Sequence, residues 1–355
     1  ANIPALRQKG GNTAMKAFSN THELDEMITR PCDQVREAIR RFPGPITILG
    51  AGGKMGFHLC RMLQRTLDEL DRKNQLLAVS RFASPDALLP FQQAGIAIQI
   101  ADLSNQEQVR SIPVTPLVFF LAGVKFGTAN NPELLNRMNS EMPKLVAEHF
   151  ANSAIVAMST GCVYSFVDRS SGGSMETDAT DPPGEYAQSC LDRENAFVNG
   201  SLSHNTRCCL VRLNYSIDLR YGVLMDIAQQ VWHNRPVNVE TGFVNVIWQG
   251  DAIRQIIQAA TLADTPPQIL NVTGAETISV RDIAMGFGKR LDRSPKIAGN
   301  ESTNCWLSNN KKACRLLGQP ITSLEQMMDW TSDWLISGGP MLNKPTHFQT
   351  RDGNY

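Results

Sequence analysis

The sequence has no excess of charge of either sign, and this absence argues against one class of function. Its 355 residues include 34 Lys and Arg against 34 Asp and Glu, so the formal net charge at pH 7 is zero. A dedicated nucleic-acid-binding protein usually presents a net basic face. We therefore expect no nucleic-acid partner. With 42% apolar and 19% charged residues, the composition is that of a folded globular protein of one or two domains.

Long apolar runs are also missing. A membrane-spanning helix needs about 18 or more consecutive apolar residues, and the sequence has no such run. Residues 1–4 lack the apolar block of a secretory signal, although a processed chain would look the same. These absences predict a protein without a membrane partner and with a cytoplasmic location.

Cysteine and histidine are present, but not in the patterns that bind metals or form disulfide frameworks. The eight cysteines include no CxxC pair, and the six histidines include no HExxH spacing. Several cysteines lie within apolar runs, where a reduced thiol packs as a small hydrophobic group. The sequence therefore predicts a reducing compartment and no metal site.

What the sequence does contain is a regular alternation of strands and helices. Short runs that are apolar at nearly every position alternate with segments of helical spacing, and such runs are typical of strands covered on both faces. The predicted strands are 46–49, 76–79, 96–100, 117–121, 154–158, 208–213 and 269–272. The pattern predicts an α/β fold with a Rossmann-type doubly wound parallel sheet.

This alternation divides the chain into three predicted parts. Residues 1–44 are predicted to form an N-terminal extension, a polar arm followed by two short helices. Residues 45–210 form the Rossmann domain, and residues 211–355 form mainly a smaller α/β substrate-binding part, interleaved with the Rossmann sheet. The last segment, 338–348, combines Gly, Pro, Phe and His. Both a lid over the site and a disordered terminus are compatible with it.

A glycine-rich turn lies between the first strand and the first helix. Gly50, Gly53 and Gly56 follow a GxxGxxG spacing. Glycine permits the tight turn, and its missing side chain lets a pyrophosphate approach the backbone amides at the helix start. The motif therefore predicts a dinucleotide site, and we include Lys54 and Met55 of the turn among its binding residues.

The residues after the second strand bear on which dinucleotide is preferred. The strand ends in Ser80 and Arg81. A ribose 2′-hydroxyl favours an acidic partner at this place, whereas a 2′-phosphate favours a cation and a hydroxyl group. We therefore expect NADP rather than NAD; the alternative is that Arg81 is an ordinary surface cation.

Together with several later segments, these motifs make the chain resemble the extended short-chain dehydrogenase/reductases, the NAD-dependent epimerase/dehydratase family. The likeness covers roughly residues 46–336. Besides the glycine spacing, it rests on the segments 101–103, 121–125, 158–164 and 184–189. It implies cofactor contacts by Asp102, Leu103, Leu121, Ala122, Gly123, Lys125 and Tyr186. It also implies that Thr160, with Ser159 as a stand-in, polarises a substrate oxygen and that Tyr186 is the general acid or base.

The resemblance further implies a reaction class. It predicts hydride transfer on a sugar, a sugar acid or a nucleotide sugar, in an epimerase, dehydratase or reductase. It also implies a homodimer built from helices near 132–150 and 184–199.

One departure from the family pattern is serious. The pattern is YxxxK, but residue 190 is Cys. In the family this Lys holds a positive charge near the Tyr. A free Tyr has a pKa of about 10, and lowering it by one unit requires about 1.4 kcal/mol. Without a cation, Tyr186 can still donate a proton, but it removes one less readily. Arg193 is the candidate substitute, and a non-catalytic NADP-binding redox sensor is the alternative function.

Overall fold

Parallel strands form the centre of the molecule, which confirms the predicted fold class. The computed structural model describes residues 18–124 and 131–351. In that part of the chain, seven strands pair in one parallel sheet. They are Ile46–Leu49 (β1), Leu76–Ser80 (β2), Ala97–Ile100 (β3), Leu117–Phe120 (β4), Ala154–Thr160 (β5), Cys208–Leu213 (β6) and Gln268–Val272 (β7). Their spatial order, β7-β6-β5-β4-β1-β2-β3, is that of a doubly wound fold.

Helices connect these strands and continue beyond them. The α-helices are Thr21–Ile28 (α1), Asp33–Arg40 (α2), Gly56–Glu69 (α3), Pro85–Gln93 (α4), Gln106–Arg110 (α5), Pro132–Asn136 (α6), Met142–His149 (α7), Gly184–His204 (α8), Val223–Trp232 (α9), Gln249–Gln258 (α10), Val280–Leu291 (α11), Lys311–Leu317 (α12) and Leu324–Ile336 (α13). A π-helix, Arg137–Glu141, joins α6 to α7, and short 3₁₀ turns are present at Gly161–Val163 and Ala259–Leu262.

Two hydrophobic cores explain why the strands are apolar at almost every position. One core includes Leu59 of α3 and Ile253 of α10. The other includes Val146 of α7 and Phe197 of α8. All residues of β1 and of β4 are buried, because alternate side chains along each strand enter the two cores.

The two helices predicted in the N-terminal extension are present and pack against the body. Leu24 and Ile28 of α1 are fully buried. Asp25 Oδ1 lies 2.7 Å from His58 Nε2 of α3 and accepts a hydrogen bond from Arg220 Nη2 at 2.8 Å. These contacts tie the extension to the helix that follows the glycine turn. Residues 1–17, the first part of the predicted arm, lie outside the described residues.

Short strand pairs lie within the C-terminal part or join it to Val167–Asp168 of the preceding part. They are Val167–Asp168 with Asn304–Cys305, Ser216–Ile217 with Ile247–Trp248, Pro236–Asn238 with Lys296–Ala298, and Phe243–Val244 with Ile278–Ser279. The strand β7 belongs to the same part of the chain but pairs with β6 of the central sheet. The boundary predicted at residue 210 therefore falls inside β6.

A buried ion pair joins α8 to β6. Arg212 donates hydrogen bonds to Glu194 from Nε at 2.9 Å and from Nη2 at 2.7 Å. The two side chains are only 3% and 4% exposed. Ser159 of β5 donates to the same carboxylate at 2.5 Å. Both oxygens of this buried carboxylate are thus hydrogen-bonded.

Glu194→Gln should lower the free energy of unfolding by about 3 kcal/mol, because it leaves the buried Arg212 without a counter-ion. Urea unfolding at pH 7 measures this loss. The control is Glu37→Gln in the exposed pair of Glu37 with Arg40, whose side chains are 58% and 57% exposed. That change should cost less than about 1 kcal/mol. Equal losses for the two variants would contradict the analysis.

Candidate functional site

The glycine-rich turn places the end of β1 against the end of β4. Gly50 has a φ of +83°, and a Cβ on it would lie 2.5 Å from the backbone nitrogen of Ala122. A Cβ on Gly56, the first residue of α3, would lie 2.0 Å from the carbonyl oxygen of Ala51. Both contacts are too close for any residue but glycine. These two glycines are therefore required to form the turn.

Gly53 has a different environment. Among the described residues, a Cβ here would meet only the carbonyl oxygen of Gly50 within 4 Å, at 3.3 Å. At Met55, no side chain of the described residues caps the N-terminus of α3. A helix start without a side-chain cap presents amide groups and the positive end of the helix dipole. The turn therefore fits the phosphate groups of a dinucleotide.

Two cavities meet at this turn. The first has a volume of about 520 Å³ and lies beyond the ends of β2, β3 and β4. It brings together most residues predicted for the cofactor: Gly50, Gly53, Ser80, Arg81, Asp102, Leu103, Leu121, Ala122 and Gly123. These residues come from four separate segments of the sequence.

Charged groups of both signs lie around the first cavity. Asp102 Oδ1 accepts hydrogen bonds from the Ser104 amide at 2.9 Å and from its hydroxyl at 2.7 Å. Burial raises the pKa of Asp102, but these hydrogen bonds and the charges of Arg81 and Arg137 outweigh it and lower the pKa. Asp102 is thus an ionised acceptor at neutral pH. Arg137, in the π-helix, is a contributor that the sequence did not reveal.

The second cavity lies on the other side of the turn, beyond the ends of β1, β5 and β6. Its volume is about 350 Å³. The predicted residues that line it are Gly50, Gly53, Lys54, Met55, Gly56, Leu121, Ser159, Thr160 and Tyr186. The C-terminal part completes it with Asn214, Tyr215, Ser216, Tyr221, Gly222, Val223 and Thr346. Gly50, Gly53 and Leu121 line both cavities, which therefore form one cleft.

Tyr186 enters the second cavity from the first turn of α8, where it is half-buried. It packs against the buried cluster that contains Cys190, one helical turn further along α8. Burial and the neighbouring Cys190 and Cys162 raise the pKa of Tyr186 well above its usual value, and the charge of Arg193 opposes them. The phenol is therefore protonated at neutral pH and suited to donate a proton. Burial also raises the pKa of Cys190, which makes the thiol a poor nucleophile.

Thr160 and Ser159 have different roles at the end of β5. Thr160 Oγ1 accepts a hydrogen bond from the Cys162 amide at 3.2 Å, so its own proton is available to a ligand in the cavity. The hydroxyl proton of Ser159 is donated to Glu194. Of the two predicted hydroxyls, the geometry favours Thr160 for contact with a substrate.

Asn139 is a residue that the sequence analysis missed. It lies in the π-helix, fully buried, and its Oδ1 accepts from the Val124 amide at 3.1 Å. Its Nδ2 donates to the Val124 carbonyl at 3.1 Å and to Ser189 Oγ at 2.9 Å. Asn139 thereby holds the segment after β4 against α8. A polar residue between apolar positions of a helix was the available signal.

The C-terminal segment folds back onto the body. Phe348 is 2% exposed, and Thr346 donates to Asp226 Oδ2 from its amide at 2.8 Å and from its hydroxyl at 2.6 Å. The structure supports the part of the lid hypothesis in which the tail folds back onto the body. The tail residue that lines the second cavity is Thr346. Burial raises the pKa of Asp226, and its hydrogen bonds with Thr346 oppose this rise.

The remaining sequence predictions concern Lys125, metal binding, membrane helices and the cysteines. Lys125 lies outside the described residues. Among residues 18–124 and 131–351, no group of three or more His, Cys, Asp or Glu could hold a metal ion. No helix in the same two ranges is long and apolar enough to cross a membrane. All eight cysteines are described, and all are free thiols.

Comparison with known proteins finds similarity in the structure but not in the sequence. No family model matches the chain, and no curated protein matches it. The solved UDP-glucose 4-epimerase of Thermus thermophilus with NAD aligns at 17% identity over 81% of this chain and 98% of its own, with a TM-score of 0.65. The UDP-glucuronic acid 4-epimerase of Bacillus cereus with NAD aligns at 18% identity over 82% and 98%, with a TM-score of 0.65.

A third solved structure has the same extent of similarity. The UDP-glucose 4-epimerase of Thermotoga maritima with UDP-glucose aligns at 15% identity over 83% of this chain and 99% of its own, with a TM-score of 0.66. The chain therefore shares the fold of these three solved 4-epimerases. The resemblance inferred from its motifs is confirmed at the level of the fold.

The glycines of the turn allow a test that separates folding from binding. Gly53→Ala should leave thermal stability nearly unchanged, because its Cβ meets one atom at 3.3 Å. It should weaken NADPH binding at least about tenfold, equivalent to about 1.4 kcal/mol, because a methyl group blocks close approach to the amides. Gly56→Ala is the matched comparison and should lower the melting temperature. Thermal unfolding and fluorescence titration measure the two effects. Unchanged NADPH affinity in Gly53→Ala would contradict the prediction that the turn binds the phosphate groups.

Proposed function

We propose that the protein is an NAD(P)-dependent oxidoreductase of the epimerase, dehydratase or reductase type. The observation that carries this proposal is the continuous cleft, whose two cavities share Gly50 and Gly53 of the glycine turn and Leu121 after β4. A dinucleotide has two nucleosides joined by a pyrophosphate, and a cleft with an anion cradle at its middle matches that shape. Solved proteins of the same fold contain NAD.

The two ends of the cleft suit different halves of the cofactor. Asp102 would hold the adenosine end in the first cavity, and Tyr186 and Thr160 lie at the opposite end. When bound, the nicotinamide supplies the hydride chemistry. Ser80 and Arg81 after β2 favour a 2′-phosphate, and hence NADP over NAD, because they offer a hydroxyl and a guanidinium group.

Arg81→Ala should weaken NADPH binding by about ten- to a hundredfold, because a hydrogen bond to a charged group contributes about 1.5–3 kcal/mol. NADH affinity should change less than about twofold, since its ribose has no charge for the guanidinium to bind. Fluorescence titration of both cofactors measures the ratio. The control is Arg110→Ala, at the end of α5 and outside the residues that line the cleft. Tighter binding of NADH than of NADPH by the unmodified protein would overturn the preference.

Tyr186 and Thr160 would manage the proton and the oxygen of the substrate. Tyr186 is protonated at neutral pH, so it can donate to a carbonyl oxygen that accepts a hydride. Thr160 can donate a hydrogen bond to the same oxygen and orient it. In the reverse direction Tyr186 must first lose its proton, which its raised pKa opposes. The arrangement therefore favours reduction at neutral pH.

Tyr186→Phe should lower kcat by about 10²- to 10⁴-fold, the usual contribution of a general acid. In the unmodified protein, carbonyl reduction should stay level between about pH 6 and 9, because the Tyr186 pKa is raised and the phenol keeps its proton. Alcohol oxidation should instead rise with pH over the same range. Steady-state rates on a panel of sugars, sugar acids and nucleotide sugars measure both. Equal activity of Tyr186→Phe and unmodified protein would remove the acid/base role.

The substrate end of the cleft suits a polyhydroxylated small molecule. Lys54 Nζ lies 3.4 Å from the centre of the Tyr221 ring at the edge of the second cavity. Asn214, Ser216 and Thr346 add polar groups to the same wall. A few polar groups in a largely apolar cavity are typical of small-ligand sites. They support a sugar, a sugar acid or a nucleotide sugar as the substrate.

The second candidate function is a non-catalytic NADP-binding redox sensor. The observation that favours it is Cys190, which supplies no cation to Tyr186. Turnover that depends on Tyr186 distinguishes the two functions. We further propose that the protein is cytoplasmic and that it forms a homodimer through the helices near 132–150 and 184–199. Light scattering of the purified protein can test the dimer.

A further inference from the structure

Helix α8 carries a buried arginine, Arg193, on the same side as Tyr186. Arg193 follows Tyr186 by about two helical turns, so both lie on one face of the helix. The side chain is buried, with Arg193 only 8% exposed. Its Nη1 donates to the Met158 carbonyl at 3.1 Å, and its Nη2 donates to Asn139 Oδ1 at 2.8 Å. The guanidinium group is thus held between α8, the end of β5 and the π-helix.

The charge of Arg193 is not compensated within residues 18–124 and 131–351. Both of its hydrogen-bond acceptors are neutral, and its Nε is buried without a partner. The adjacent carboxylate, Glu194, is bound by Arg212 instead. A buried charge without a counter-ion is costly. The fold therefore keeps a positive charge here that no described ion pair explains.

This positive charge lies at the wall of the cofactor cleft. A Cβ on Gly123 would lie 2.3 Å from Arg193 Nη2, and Gly123 lines the first cavity. Asn139 holds the next residue, Val124, through both its amide and its carbonyl. The guanidinium is thereby fixed where β4 ends, beside the residues that join the two cavities.

The electrostatic effect of Arg193 reaches the proposed acid. Burial and the thiols raise the pKa of Tyr186, and Arg193 is the cation that lowers it. Arg193 also lowers the pKa of Cys190, although burial raises it further. Position 190 itself carries no charge, so the cation comes from one turn further along α8.

We propose that Arg193 is a positioning residue that supplies the positive charge of the active site, in place of a lysine at position 190. It stabilises the Tyr186 phenolate that forms when the phenol proton moves to the substrate oxygen. In the reverse direction, the substrate hydroxyl returns a proton to Tyr186, and Arg193 transfers none of its own. This inference rests on the proposed acid/base function of Tyr186.

The direct test is a titration of residue 186 that needs neither substrate nor turnover. A fluorinated tyrosine placed at position 186 ionises at a lower pH than tyrosine, and fluorine NMR follows its midpoint in the full chain. Arg193→Met should raise this midpoint by at least about one pH unit, a tenfold change in the ionisation constant. Arg193→Lys should recover most of the shift, because it keeps the charge. The matched control is Arg41→Met, an exposed arginine of the N-terminal extension, which should leave the midpoint unchanged.

A second charge-removing variant keeps the test decisive if Arg193→Met does not fold. Arg193→Gln retains an amide that can donate to Asn139, so it should fold and show the same raised midpoint. A midpoint equal to that of the unmodified protein in either folded variant overturns the inference. So does an equal shift in Arg193→Lys, because the hydrogen bonds and not the charge would then be responsible.

Enzyme kinetics separate this inference from the proposed function. In a working assay of alcohol oxidation, Arg193→Gln should lower kcat about tenfold at pH 7, leave the cofactor KM within about twofold, and lose less at higher pH. If no substrate is turned over while the midpoint still shifts, the proposed function falls and the electrostatic role of Arg193 stands. If turnover depends on Tyr186 and the midpoint does not shift, the role of Arg193 falls.

Discussion

The hydrogen-bonded register of the parallel strands is the constraint on which the candidate site depends. β1 pairs with β2 and β4 so that Leu49 lies opposite both Val79 and Phe120. The residues that follow, Gly50 and Ser80 among them, therefore emerge at one edge of the sheet. A shift of one residue would exchange the two faces of a strand and move these side chains away from the cleft. The glycine turn, the two cavities and Tyr186 all lie at this edge.

Neighbouring residues of α8 have opposite electrostatic roles because the helix turns by about 100° per residue. Glu194 points to β6 and forms a buried ion pair with Arg212, which stabilises the fold. Arg193 points to the ends of β4 and β5, where its charge has only neutral partners. At the end of β5, the side chains of Ser159 and Thr160 also point in different directions, since adjacent residues of a strand face opposite sides. Glu194 thus stabilises the fold, whereas the hydroxyl of Thr160 is available to the second cavity.

Local patterns were sufficient for much of the fold, and the differences have physical causes. The predicted strand 154–158 extends to Thr160 because its last residues pair with β6, up to Leu213. A partner strand, and not the apolar run, decides where such a strand ends. The glycine spacing also predicted its turn. Gly56 makes its close contact with Ala51, five residues earlier, whereas the neighbour of Gly50 is Ala122, which follows β4.

By itself, the sequence determined the doubly wound sheet and the glycine turn, because periodicity and short motifs record contacts that repeat locally. Tyr186 and Thr160 were singled out only through the family resemblance. Only the tertiary structure decided which distant side chains complete the cleft. Thr346 reaches it by bonding to Asp226, 120 residues earlier, and Arg193 bonds to Asn139, 54 residues earlier. Such partners share no spacing rule, because the packing of separate elements brings them together.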